Sequence, residues 1–315
     1  MDLEKQASEV FSMKGNTMHT DSKTQTTVAA RERYTIGYVT SKDGTRIGYR
    51  QYGHGPGIVL VQGTMGTAHN FMQLAESLAD AFTVYVPDRR GRGLSDPTGN
   101  AYSIQKEVED LKAILAQTGT HSIFGLSSGA IISLQAALTL SAIHKLAIFE
   151  PPLFLDGAVP TALIARYEKE MRQGRVAAAL ITGMKAGQFG PPIFNAMPRW
   201  LLESLTNIMM KSEDKNGSGG YVPMRQLAST LHNDFQLVNE MSDKLPSFAA
   251  VKTEVLLLGG SKSPSYLKVA LDGLEKVLSN AKRVELAGLD HAAAWNTDRG
   301  GKPEVVAQAL RGFFA

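Results

Sequence analysis

The chain predicts an α/β protein: a mostly parallel sheet covered by helices on both faces, with an all-helical cap inserted into it. Three observations carry this expectation. Short apolar runs alternate with segments of helical period from Gly57 to Phe149 and again from Glu254 to Phe314, the rhythm of parallel strands joined by crossover helices. Runs such as Gly57-Ile58-Val59-Leu60-Val61 are apolar throughout, as strands buried on both faces are. Between Pro151 and about Lys244 the rhythm stops, and a stretch rich in Ala, Leu and Met offers helical periodicity but no convincing strand.

In chain order, residues 1–30 are rich in Ser, Thr, Lys, Gln and Met, with acids at Asp2, Glu4, Glu9 and Asp21. They lack the apolar segment of a signal peptide, and the acids argue against a transit peptide. The expectation is a mostly disordered extension. Arg33–Thr40 and Thr45–Tyr52 read as a hairpin closed by Asp43-Gly44. Strands follow at 57–62 and 83–87, with a helix at 69–81 between them and an amphipathic helix at 103–118 after them. A strand entering Gly125, a helix from Ala130 and a strand at 145–149 complete the first half. The second half reads as strand 254–258, helix 265–278, strand 283–286 and helix 303–314. The boundaries are a core over 31–150 and 246–315 and a cap over 151–245, in which the Gly/Ser stretch 216–220 is expected to be mobile.

Composition narrows the function classes. A hydrophobic fraction of 43% and a charged fraction of 20% belong to an ordinary globular protein with a sizeable core. The net charge of +3 is spread among mixed signs, so nucleic acid and membrane surfaces are not expected partners, and oligomerisation is left open. The absence of cysteine rules out disulfides, thiolate metal sites and a cysteine nucleophile. No H-E-x-x-H or similar ligand spacing is present, so neither a metal nor a cofactor is expected. A cytoplasmic location is the default expectation.

The strongest chemical signal is Gly125-Leu126-Ser127-Ser128-Gly129, placed between an apolar strand and a helix. A serine on such a sharp turn projects above the sheet, and the flanking glycines allow strand and helix to approach closely. Its hydroxyl needs a base to become nucleophilic. Of seven histidines, only His291 lies in the loop after the last strand, the place that a resemblance to α/β hydrolases assigns to the base of such a serine.

With these residues in place, the region from about Arg33 to Ala315 resembles the α/β-hydrolase superfamily with a helical cap. Asp88-Arg89-Arg90-Gly91-Arg92-Gly93-Leu94-Ser95 matches the family's D-x-R-G-x-G-x-S loop, with Asp88, Arg90 and Ser95 read as braces of that loop. Gln62-Gly63-Thr64 stands where the family has His-Gly-x. The resemblance implies that the backbone N–H groups of Thr64 and Ser128 form the oxyanion hole. The family's usual acid position, after the penultimate strand, is held here by Ser263, which cannot carry a negative charge. Some family members place the acid after the strand that follows the elbow helix, and Glu150 ends that strand. Glu150 is therefore the expected partner of His291, with Asp290 as its rival.

The residues assigned to a substrate pocket are Met65, Phe189, Phe194, Met197, Trp200, Tyr221 and Trp295. Their apolar character points to a small apolar, uncharged substrate. The expected activity is serine hydrolysis of a hydrophobic ester or lactone through an acyl-enzyme, with Ser127, His291 and Glu150 as the triad. The competing reading is a ligand-binding or non-hydrolytic member of the fold, in which the empty acid position reflects lost chemistry.

Overall fold

The computed structural model describes residues 33–99, 101–155, 159–188, 196–216 and 220–315. The chain divides into a short unit, Met1–Arg33, and a body, Tyr34–Ala315. The extension expected over residues 1–30 lies outside the described residues.

The body is built on a sheet in which eight strands are described: β1 (Thr35–Thr40), β2 (Arg46–Gly53), β3 (Gly57–Val61), β4 (Thr83–Pro87), β5 (Ser122–Leu126), β6 (Lys145–Phe149), β7 (Glu254–Gly260) and β8 (Ala281–Leu286). Their order is β1-β2-β4-β3-β5-β6-β7-β8. The pairs β1/β2 and β2/β4 are antiparallel, and every pair from β4 to β8 is parallel. The Asp43-Gly44 turn closes the β1/β2 hairpin as expected, with Ser41 N–H donating to Thr45 O at 2.8 Å.

Why the central strands are apolar throughout follows from where their alternate side chains go. Val59, Val61, Ile123, Leu146, Ile148, Val255 and Leu257 enter one core cluster, whereas Ile58, Leu60, Phe124, Leu126, Ala147, Phe149, Leu256 and Leu258 enter another. Successive residues of a strand face opposite sides, so a sheet with a core on each face needs apolar residues at every position. The first core is closed by α2 (Ile104–Thr118), α3 (Ser128–Thr139) and α9 (Ser265–Val277); the second by α1 (Met72–Glu76) and α10 (Pro303–Phe314).

The helix expected over 69–81 is shorter than its periodicity indicates. A 3₁₀ turn, Ala68–Phe71, leads into α1, and turns complete the segment. Leu78 and Ala81 N–H donate three residues back, to Ala75 and Leu78, and the Ser77 hydroxyl takes the Gln73 carbonyl. Such bonds tighten the backbone and compete with the α ladder.

Between β6 and β7 the described residues contain helices and no strand: α4 (Thr161–Arg172), α5 (Val176–Ala186), α6 (Arg199–Asn216), α7 (Met224–Leu227) and α8 (Leu231–Met241). Ala177 and Leu180 of α5 pack with Met210 of α6 and with Ala228. Buried Glu170 ties three helices together, accepting from Thr182 Oγ1 at 2.6 Å and Arg199 Nη2 at 2.7 Å. Helix α8 anchors the insertion to the body, because Leu237, Val238 and Met241 belong to the sheet's own first core.

Candidate active site

Ser127 occupies the turn between β5 and α3 with φ 56° and ψ −123°. A side chain in this left-handed region is strained and persists only where its surroundings fix it. Here they do: Ser127 N–H donates to Phe149 O at 2.9 Å, and Ser127 O accepts from Ala130 N–H at 2.9 Å. Gly125 and Gly129 make the turn sterically feasible. A methyl on Gly129 would lie 2.4 Å from Val61 O, and one on Gly125 would lie 2.6 Å from Gly129 O. Ser127 is 3% exposed: the serine projects above the sheet, but the turn is enclosed by the body packed around it.

Glu150 directly follows β6 and is wholly buried, with φ 48°. Its Oε1 accepts the Gly260 N–H at 2.6 Å and its Oε2 lies 2.7 Å from His291 Nδ1. Against an ionised carboxylate, which can only accept, Nδ1 is the donor and Nε2 is the nitrogen turned away from Glu150. Asp290, the rival acid, instead accepts the Ala292 N–H at 2.9 Å and so braces its own loop. Ser263 is buried, and its hydroxyl finds no hydrogen-bond partner among the described residues.

Thr64 and Ser128 bracket the elbow from two sides. Among the described residues no hydrogen bond takes the backbone N–H of either; that of Ser128 belongs to the first residue of α3, where the helix offers no internal acceptor. Their hydroxyls lie 3.5 Å apart. Gln62, where the family has histidine, donates from Nε2 to Pro87 O at 2.8 Å. The Asp88 loop is braced as the sequence indicates. Asp88 accepts the Ala68 N–H at 2.6 Å and the Leu94 N–H at 3.0 Å, while Arg90 pairs with Asp110 at 2.6 Å.

The described residues assigned to a pocket take different surroundings. Met65, next to Thr64, packs on the Ala177–Leu180–Met210–Ala228 cluster of the insertion. Tyr221 meets the His69 ring edge-on at 5.5 Å, and burial with its Glu213 hydrogen bond pushes its phenol up to about 12. Trp295 packs on Phe71 at 5.2 Å beneath the second core. Met197 is half-buried. Trp200 is 69% exposed and is corrected to a surface residue, since it points away from the buried face of α6 that carries Leu202 and Met210. Phe189, Phe194 and residues 217–219 of the Gly/Ser stretch lie outside the described residues.

One group of functional candidates is absent from the sequence reading. Asp234 of α8 is 2% exposed and accepts Arg89 Nη1 at 2.8 Å, Arg92 Nη2 at 2.6 Å and the Ser128 hydroxyl at 2.7 Å. Arg89 also grips Glu107 at 2.8 Å, and Tyr102 donates to the same carboxylate at 2.6 Å. Burial alone would raise the Asp234 carboxyl; Arg92 and Arg89 outweigh it and hold the group below the usual carboxylate range. Burial and the like charge of Arg89 weigh against the Arg92 cation, but a guanidinium stays protonated in proteins. The signal in the sequence is an acid in the apolar stripe formed by Leu231, Leu237, Val238 and Met241.

Among the described residues no group of acids and histidines is arranged to hold a metal, and no helix is long and apolar enough to cross a membrane.

Residues 58–309 match the model of the alpha/beta hydrolase family, and the chain belongs to that family. It is 32% identical to an alpha/beta hydrolase from Sphaerobacter thermophilus, whose crystal structure superposes with a TM-score of 0.72 over 89% of this chain and 100% of that one. It is 24% identical over 290 residues to 2-(acetamidomethylene)succinate hydrolase of Mesorhizobium japonicum, covering 89% of this chain and 94% of that protein. A shorter match, 35% identical over 99 residues, is to an uncharacterized hydrolase of Bacillus subtilis; it spans 30% of this chain and 36% of the relative.

Proposed function

We propose that the protein is a serine hydrolase that cleaves a hydrophobic ester or lactone through an acyl-enzyme. Ser127 is the nucleophile, His291 the base and Glu150 the acid. The observation that carries this reading is the 2.7 Å contact between His291 Nδ1 and the buried Glu150, which sets the tautomer that leaves Nε2 to take the Ser127 proton. As Ser127 Oγ attacks, the carbonyl electrons move onto oxygen, and the N–H groups of Thr64 and Ser128 receive that charge. Collapse of the adduct expels the alcohol, protonated by His291, and water repeats the sequence on the acyl-serine.

The apolar contact of Met65 with the insertion supports an apolar acyl or alkyl group beside Thr64. The full-length relative from Mesorhizobium is named for a substrate bearing an acetamido group, so N-acyl compounds belong in the same substrate panel as esters and lactones.

The test is covalent. A fluorophosphonate labels Ser127 stoichiometrically, and Ser127→Ala lowers turnover of p-nitrophenyl esters by about 10⁶-fold with the fold intact. A folded wild-type protein that takes no label, or a Ser127→Ala variant retaining more than about a hundredth of the rate, contradicts the reading and favours a non-hydrolytic role.

A further inference from the structure

The helical insertion sends one charge down to the loop and the elbow that carry the two oxyanion donors. We propose that Asp234 is a positioning residue for the reaction, holding the donors of Thr64 and Ser128 in place from behind. The inference rests on the serine-hydrolase reading above.

The first arm runs through Arg92. Its Nη2 is held by Asp234 at 2.6 Å, while its Nη1 donates to Gly63 O at 2.9 Å and Gly66 O at 3.2 Å. The carbonyl of Gly63 and the N–H of Thr64 belong to one planar trans peptide group, so they point in opposite directions. Fixing the oxygen on Arg92 therefore fixes the N–H on the other side. A cation behind the carbonyl also polarises the peptide and strengthens its N–H as a donor.

The second arm runs through Ser128. Its hydroxyl donates to Asp234 Oδ1 at 2.7 Å and accepts from Arg89 Nη1 at 3.1 Å. This locks the residue whose N–H opens α3, next to the strained Ser127. Asp234, Arg89, Arg92, Glu107 and Ser128 are each at most 4% exposed. Two guanidinium and two carboxylate groups leave the cluster neutral. Donors fixed in a site free of water are what oxyanion stabilisation requires, and here the fixing element comes from outside the sheet domain.

The experiment measures kcat per fluorophosphonate-titrated site, KM, and the affinity of a trifluoromethyl ketone, which carries the tetrahedral oxyanion. Asp234→Asn is expected to lower kcat per titrated site by about 10²-fold while KM changes by less than about threefold. The ketone weakens in step with kcat/KM. A purely structural role would lower the number of titratable sites and leave kcat per site and the ketone affinity unchanged, and that result overturns the proposal. Should Asp234→Asn fail to fold, Ser128→Ala removes one arm without stranding a charge. It is expected to lower kcat per site by about tenfold, and a normal kcat per site overturns the proposal equally. Hydrolysis retained by Ser127→Ala would bring down the serine-hydrolase reading and this inference together. Loss in Ser127→Ala beside normal turnover in Asp234→Asn overturns this inference alone.

Discussion

Glu150 and Asp234 are both carboxylates removed from water, yet they are compensated in opposite ways. Asp234 faces two guanidinium groups and a hydroxyl; its charge is neutralised permanently by partners that do not release a proton. Glu150 faces one neutral N–H and an imidazole, so full compensation arrives only when that imidazole gains a proton. A buried charge with fixed counterions is set for holding geometry, and one with a titratable partner is set for chemistry. The difference separates two kinds of dependence on a buried acid, and substitutions can expose it.

The largest expected effect is on turnover at the titratable side. Glu150→Gln keeps the shape but loses the charge that stabilises the imidazolium, and kcat falls by roughly 10³–10⁴-fold. In that background Ser263→Asp recovers part of the rate, whereas Asp290→Asn in the wild type costs little. A Glu150→Gln variant with near-normal turnover, or an Asp290→Asn variant more impaired than it, would reassign the acid.

Stability sharpens the comparison in the other direction. Asp234→Ala leaves buried Arg92 without a carboxylate and Arg89 with Glu107 alone, and is expected to cost about 3–5 kcal/mol, lowering Tm by about 10 °C. Glu150→Gln should move Tm by less than about 3 °C, because the amide oxygen still accepts from Gly260 and no buried guanidinium loses its carboxylate. Calorimetry giving equal losses for the two would erase the distinction. The smallest effect lies outside both sites: Trp200→Ala at the surface should leave kcat, KM and Tm unchanged within error. A change in KM would return Trp200 to the substrate.

What could be read in advance follows the range over which each signal acts. The strands of the sheet are legible because two cores demand apolar residues at every position, a purely local pattern. Ser127 is legible because the glycines that permit its turn sit within two residues of it. The contact of Glu150 with His291 is legible because Glu150 ends the strand that follows the elbow helix. Asp234 is not, since its meaning depends on Arg89 and Arg92, which lie 145 and 142 residues away. Those two arginines fill two of the three variable positions of the D-x-R-G-x-G-x-S loop, where the pattern assigns nothing. Trp200 misleads because an aromatic residue on an amphipathic helix carries no mark of which face meets the body. The 69–81 segment misleads because its apolar spacing is helical, while side-chain and turn bonds shorten the helix itself.

The insertion leaves the sheet after β6 and returns at β7, and these strands are hydrogen-bonded neighbours with Phe149 opposite Leu258. Because the two strands are parallel, with Lys145 opposite Glu254, the chain leaves the sheet at one end and re-enters it at the other; even so, a connection between strands is ordinarily a part that can be lengthened, trimmed or replaced without disturbing the scaffold. Asp234 withdraws that freedom. A replacement segment without an acid at the same point would leave Arg92 without a carboxylate and Arg89 with Glu107 alone, so in this hydrolase transplanting the outer helices also means transplanting the counter-charge of the loop behind the elbow.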